Sequence, residues 1–308
     1  MKVGLFADGI WGFNIVKILF FDKNFSIDFV VLRKKKDLKI LNFCKKKNIN
    51  HFSFRNVNSR KNINILKKFN SDILVSMSYN QIFKKIFLKL IQKKIINCHA
   101  GALPFYRGRS PINWAIINGE KKIGITTHFV NSKIDQGDIL DQKFVKIENK
   151  DNFKTLLQKC YKYCPMQLYK VLKKIKNKSI KVIKQSSISS KGSYYFKRKR
   201  GEEIINFRNN YKNLNNFIRG LVFPSVGAVF YFKGKSYITL KTNFLKKIEK
   251  DDKINNGTIL HVSNKRLKIK ILDSIVFLSK IFSNRDKNLI KDLRKIFKVN
   301  FLLKGKNA

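Results

Sequence analysis

The chain has 308 residues, 44% of them hydrophobic, and 67 Lys and Arg against 19 Asp and Glu give it a formal net charge of +48. That length accommodates two domains with cores of their own, and no apolar run reaches the roughly 20 residues that span a bilayer, so membrane insertion is not expected. The charge suits a polyanionic partner, but lysine is spread along the whole chain and Asn, Ile and Phe rise with it, as AT-rich coding gives, so most of it is read as drift on solvated faces.

In chain order, "KVGLFA" (2–7) reads as a buried first strand. Asp8 and two glycines interrupt the apolar run there, and no A-x-A-like cleavage site follows, so a strand is preferred to a signal peptide. "DGIWGF" reads as a turn, and Phe13, Val16, Ile18 and Leu19 fit the helix after it. "SIDFVVLR" (26–33) is a second strand, "DLKILNFCKKK" (37–47) a helix, and "ILKKFN" the end of another. "SDILVSMS" (71–78), helical "FKKIFLKLIQ" and the strand "KIINCHA" come next. This alternation is that of a doubly wound, mostly parallel α/β sheet. "GITTHFV" (124–130) and "GDILDQKFVKI" (137–147) add strands. A long amphipathic helix carries Phe153, Leu156, Leu157, Cys160, Cys164, Leu168, Val171, Leu172 and Ile175 at helical spacing, with a kink expected at Pro165.

The character changes near residue 186. "QSSISSKGS" is Ser-rich and reads as a linker. Beyond it, "NLNNFIRGLV" (213–222) is helical, and "GAVFYF", "SYITLKT", "GTILHV" and "RLKIKIL" are short strands of a smaller, mostly-β domain. The expected division is a first domain over 1–185, a linker over 186–196 and a second domain over 197–308. Cys44, Cys98, Cys160 and Cys164 form no CxxC pattern. They read as reduced structural thiols in a cytoplasmic protein, with no metal site.

The chemistry concentrates in "IINCHAGALPFYRGRSPINWAI" (95–116), which holds two of the chain's four prolines. Residues two apart on a strand share a face. Asn97 and His99 therefore project together at the carboxyl end of a strand, where open α/β sheets bind ligands, while Cys98 points into the core. A turn with a basic tip follows: Tyr106, Arg107, Gly108 and Arg109. Asp135, in the loop "NSKIDQGDIL", can orient His99 and favour its protonated form. It can equally cap its own turn. "DGIWG" has Gly9 and Gly12 but no G-x-G-x-x-G, so a nicotinamide enzyme is rejected.

Asn-x-His, then "LPFYRG", then "PINWAIINGE", "GIT" and "IDQGDI" together resemble the folate-dependent formyltransferases. That family includes enzymes acting on methionyl-tRNA, glycinamide ribonucleotide and nucleotide-linked amino sugars. The resemblance covers the first domain and is densest over 71–141. "INFRNNYKNLNNFIRGLVFPSVGAVFYFKGK" is similar to the entry of the family's carboxyl-terminal, OB-like barrel domain, which the glycinamide ribonucleotide enzymes lack. The resemblance implies 10-formyltetrahydrofolate as co-substrate, no metal, and a catalytic trio of Asn97, His99 and Asp135. It also implies a pterin pocket edged by Met77, Ser78 and Tyr79, with Gly137 and Asp138 lining it. Two acceptors fit: a nucleotide-linked amino sugar, or the α-amine of initiator methionyl-tRNA. The tRNA enzymes resemble one another in a long basic insertion after the second strand, and here Arg33 runs through "KKKD" into a helix. "YRGRSPINWAIINGE" is similar to the enzymes that formylate UDP-4-amino-4-deoxy-L-arabinose. The expectation is therefore the sugar, with Tyr106, Arg107 and Arg109 at the acceptor and the two arginines on a diphosphate. The second domain is expected to dock tRNA or form a homodimer surface.

Overall fold

The computed structural model describes residues 1–33, 37–248 and 253–306. Lys2–Ala7 (β1) is buried from Val3 onward, as a strand covered on both faces requires. It leads into Gly9–Phe21 (α1), whose buried Gly12, Ile15, Val16 and Leu19 recur at helical spacing. The helix begins within the segment that reads as a turn. Ser26–Leu32 (β2), Leu38–Lys46 (α2), His51–Ser53 (β3), Arg60–Lys67 (α3), Ile73–Met77 (β4), Lys85–Ile91 (α4) and Ile95–His99 (β5) follow. Asp37 caps α2 through the Ile40 amide at 3.2 Å, and Ser59 caps α3 through the Asn62 amide. Arg107–Gly108 (β6), Pro111–Ile117 (α5), Lys122–Phe129 (β7), Ile139–Lys146 (β8) and Phe153–Lys176 (α6) come next, and α6 runs through Pro165.

The main sheet has the order β3-β2-β1-β4-β5-β7-β8. Its first five members pair in parallel, and β7 and β8 add on antiparallel. This is the doubly wound, mostly parallel α/β sheet expected from the sequence, with β3 as a strand the hydrophobic pattern does not mark. Beneath it Phe6 meets the rings of Phe29, Tyr79, Phe83 and Phe87.

The chain divides into two compact units. The first comprises Met1–Pro111, Lys122–Lys146 and Gln158–Phe196; the second comprises Ile112–Lys121, Ile147–Leu157 and Lys197–Ala308. Residues 186–196, which read as a linker, belong to the first. Gln185–Ile188 (α7) is a helical turn, and Tyr194–Tyr195 (β9) pairs in parallel with β6. Within the second unit, the Asn113 amide donates to the Gly220 carbonyl at 2.6 Å, and Arg219 Nη1 donates to the Asp151 carbonyl at 2.8 Å. These contacts explain why 112–121 and 147–157 cluster with it.

In the second unit, Tyr211–Gly220 (α8) sets Leu214 and Ile218 into a core with Phe230, Phe232 and Phe297. Ala228–Phe232 (β10), Lys235–Lys247 (β11), Ile259–Val262 (β12), Arg266–Ile271 (β13) and Ser274–Ser283 (β14) form an antiparallel sheet ordered β10-β11-β14-β13-β12. Its edges are joined by the chain near the carboxyl end. Tyr231 exchanges backbone hydrogen bonds with Lys304 at 2.8 and 2.9 Å, and the Ile259 amide donates to the Phe301 carbonyl at 2.9 Å. The same terminal stretch thereby bridges both edge strands of the sheet, β10 and β12, and covers part of each edge. Among the described residues, no helix is long and apolar enough to cross a membrane.

Candidate active site

The end of β5 fixes the site. Asn97 and His99 alternate with buried Cys98, whose thiol reaches the Cys164 carbonyl on α6. The antiparallel register places Asn97 opposite His128 and His99 opposite Thr126. Directly opposed side chains touch: the Asn97 amide nitrogen lies 3.2 Å from His128 Nε2. His128 Nδ1 donates to the Phe129 carbonyl at 2.7 Å, because a carbonyl can only accept. A neutral His128 therefore accepts from Asn97 at Nε2. His128 Nε2 also lies 3.5 Å from Asp135 Oδ1.

His99 is buried. Its Nε2 meets the Tyr106 carbonyl at 2.6 Å and its Nδ1 faces Asp135 Oδ2 at 3.6 Å. Both ring nitrogens thus face oxygen atoms, Nδ1 that of the Asp135 carboxyl and Nε2 that of the Tyr106 carbonyl. Gly101 makes room for this: a β-carbon there would lie 2.6 Å from His99 Nε2 and 2.7 Å from the Tyr106 carbonyl. Asp135 is 12% exposed and adopts a left-handed backbone, with φ of 53°. Its Oδ2 accepts the Gly108 amide at 2.9 Å. Burial, the largest influence, opposes its charge. The imidazoles of His99 and His128 and the Gly108 amide overcome that and hold the carboxyl below the ordinary carboxylate value. A side chain at Gly137 would run into the Phe129 carbonyl, so the loop after Asp135 can pass β7 only with glycine there.

The structure brings Asn97, His99 and Asp135 together and adds His128. Other sequence-predicted residues lie differently. Arg107 is not free to meet an anion with its whole guanidinium, because Nε and Nη2 donate to Gln185 Oε1 at 3.1 and 2.7 Å. Arg109 is exposed, and only its backbone is fixed, by the Tyr195 carbonyl at 2.8 Å. The Tyr106 ring stacks on Tyr195 at 5.3 Å. Met77 is fully buried at the end of β4. Tyr79 packs on Phe6 and Phe83, and its buried hydroxyl has its pKa raised by burial and then by Asp8. Ser78 alone of the three is exposed, at a positive φ of 60°. Gly137 is buried and Asp138 half-buried, and their carbonyls accept from Gln185 and from the Phe129 amide. No group of three or more His, Cys, Asp or Glu among the described residues could hold a metal ion.

Residues 23–172 match the model of the formyl transferase domain, and 197–295 match that of the formyl transferase C-terminal domain. The methionyl-tRNA formyltransferase of Clostridium tetani (strain Massachusetts / E88) is 34% identical over 222 residues, 72% of this chain and 70% of that one. This chain belongs to the formyl transferase family. The bifunctional polymyxin resistance protein ArnA of Wigglesworthia glossinidia brevipalpis is 35% identical over 245 residues of this formyl transferase family member. That match covers 75% of this chain but only 36% of ArnA. Among solved structures, an N-formyltransferase from Helicobacter canadensis, determined with folinic acid and dTDP-3-aminofucose, superposes with a TM-score of 0.70. At 19% identity it covers 91% of this family member and is itself covered over 99% of its length, which supports the shared fold.

Proposed function

We propose that the chain transfers a formyl group from 10-formyltetrahydrofolate to the primary amine of a nucleotide-linked amino sugar. One observation carries the reading: Asn97 and His99 stand side by side at the carboxyl end of β5, and Asp135 is anchored against His99. A formyl carbon under attack by an amine develops negative charge on its oxygen and positive charge on the nitrogen. The Asn97 amide supplies a donor for that oxygen. His99 takes the amine proton and returns it to the departing folate nitrogen, so the new C–N bond forms as the old one breaks with no net proton change. Asp135 stays charged and fixes the Nδ1 side of the ring. The residues present fit this co-substrate: the site offers an amide donor, a buried imidazole and a carboxylate, and the reaction needs no other group.

The sugar acceptor is supported by the short connection between β2, ending at Leu32, and α2, beginning at Leu38, which leaves no room for a long insertion. Of that connection, residues 34–36 lie outside the described residues. The second reading, methionyl-tRNA, is supported by the extent of the Clostridium tetani match.

Arg109 offers an exposed guanidinium to a sugar diphosphate. Arg109→Ala is expected to raise the KM for a UDP- or dTDP-amino sugar by roughly tenfold, the loss of one charged phosphate contact, while the KM for the folate stays level. Steady-state kinetics with each substrate varied in turn reads this directly, and an unchanged acceptor KM removes the phosphate role.

The depressed Asp135 carboxyl sets a pH dependence. Its folded value lies below the unfolded one of ~3.9. Its contribution to stability is therefore complete above that value and is lost as pH falls through the folded one. The Tm difference between the wild type and Asp135→Asn should still be present at about pH 5 and shrink only below about pH 4. A difference already gone at pH 5 would show a raised carboxyl instead.

A further inference from the structure

We propose that Gln185 is a positioning residue that sets the aim of Asp135, an inference that rests on the reading of Asn97, His99 and Asp135 as the catalytic group. Gln185 lies in the Ser-rich stretch that looks like a linker, yet it is only 4% exposed. Its amide makes four hydrogen bonds. Nε2 donates to the Asp135 carbonyl and to the Gly137 carbonyl, both at 2.8 Å. Oε1 accepts from Arg107 Nε at 3.1 Å and Nη2 at 2.7 Å. An amide has two N–H groups and two lone-pair positions, so its capacity is filled. Its orientation is fixed by chemistry, because carbonyls only accept and a guanidinium only donates.

The two sets of partners lie on the two loops that define the surroundings of His99. One loop carries Asp135 in a left-handed conformation, which Asp tolerates better than most residues other than glycine. Gln185 grips that loop on both sides of Gln136. The other loop carries the Tyr106 carbonyl, which meets His99 Nε2, and the Gly108 amide, which meets Asp135 Oδ2. Gln185 holds it through Arg107, between those two residues. The chain just beyond Gln185 reinforces the second grip: Ser193 Oγ accepts the Tyr106 amide at 2.9 Å, and the Ser193 carbonyl accepts the Arg107 amide at 3.0 Å. One buried side chain thereby ties together the loops that present oxygen to both nitrogens of the His99 ring. Glutamate in its place would keep an acceptor for Arg107 and lose both donations to the Asp135 loop.

The test combines Gln185→Glu and Gln185→Met with Asp135→Asn, singly and as double variants. Gln185→Met keeps the side-chain length without a buried charge and covers the case in which the glutamate variant does not fold. The first readout needs no acceptor: the imidazole ring signals of His99 in the nitrogen-15 NMR spectrum of the free protein. The second is kcat for transfer from 10-formyltetrahydrofolate to UDP-4-amino-4-deoxy-L-arabinose. Gln185→Met is expected to move the His99 signals in the direction that Asp135→Asn moves them, and to lower kcat by roughly 10- to 100-fold, the scale of a misplaced catalytic group. In the Asp135→Asn background the same change should have little further effect, because both act through one carboxylate. His99 signals unmoved by Gln185→Met overturn the proposal. So does a full, multiplicative loss added to a slow Asp135→Asn enzyme, which would make Gln185 merely structural. An Asp135→Asn enzyme at full rate fails differently: it removes the catalytic reading, and this inference with it.

Discussion

Replacing His99 with alanine is expected to lower kcat for formyl transfer by roughly 10²–10⁴, the range of a positioned acid–base group. The amine proton must leave as the new C–N bond forms, and His99 is the titratable side chain that the fold holds between Asp135 and the Tyr106 carbonyl. Because His99 is buried, alanine also leaves a gap, and some stability will be lost with it. His99→Gln separates the two effects. It can still donate to the Tyr106 carbonyl but cannot carry the proton, so its melt should recover more than its turnover. Steady-state rates alongside thermal melts of both variants read the result. Turnover near the wild type in either variant would remove His99 from the chemistry.

Asn97→Ala is expected to lower kcat by roughly 10²–10³, the typical loss of one oxyanion donor. The amide is half-buried and pairs with His128 across the strands, so one of its N–H groups is engaged and the other is available for the developing oxyanion. Asn97→Asp is the sharper variant. It keeps the shape and replaces a donor with an acceptor, which repels the developing charge. It should be at least as slow as the alanine variant, while the KM for 10-formyltetrahydrofolate moves little, because the lost contact belongs to the transition state. An Asn97→Asp enzyme faster than the Asn97→Ala enzyme would contradict an oxyanion role.

Much of this site is legible in the sequence. The period of two along "IINCHA" puts Asn97 and His99 on one face and Cys98 on the other, and β5 does so. His128 is not legible in the same way. Its part depends on β7 pairing antiparallel to β5 in the register that faces it toward Asn97, and nothing local in "GITTHFV" gives that register. The alternation of Thr126 and His128 is the one available signal, since it puts a polar pair on a single strand face. Arg107 reads as a free cation because sequence cannot show that a glutamine 78 residues away accepts from it. Gln185 is hidden for the opposite reason: Ser and Gly surround it, and that composition normally marks a solvated linker. Met77 follows the apolar pattern of its strand into the core, and Tyr79, just beyond the strand, packs against the same cluster. In the second unit the strand Ser274–Ser283 is absent from the sequence reading, although it is the one that pairs with both β11 and β13. The bridging of both edge strands by residues near 301–304 is a long-range pairing with no local signature at all.

The measurement that tests the central claim most directly is formyl transfer by the purified protein from 10-formyltetrahydrofolate. UDP- and dTDP-linked amino sugars and methionyl-tRNA would be offered side by side, with products resolved by mass. The expected result is an N-formylated sugar nucleotide and an equal amount of tetrahydrofolate, with no formylated methionyl-tRNA. Formylation of methionyl-tRNA alone would contradict the sugar as acceptor and make the chain's charge functional; transfer to none of these amines would contradict the assignment of Asn97, His99 and Asp135 as a formyl-transfer site.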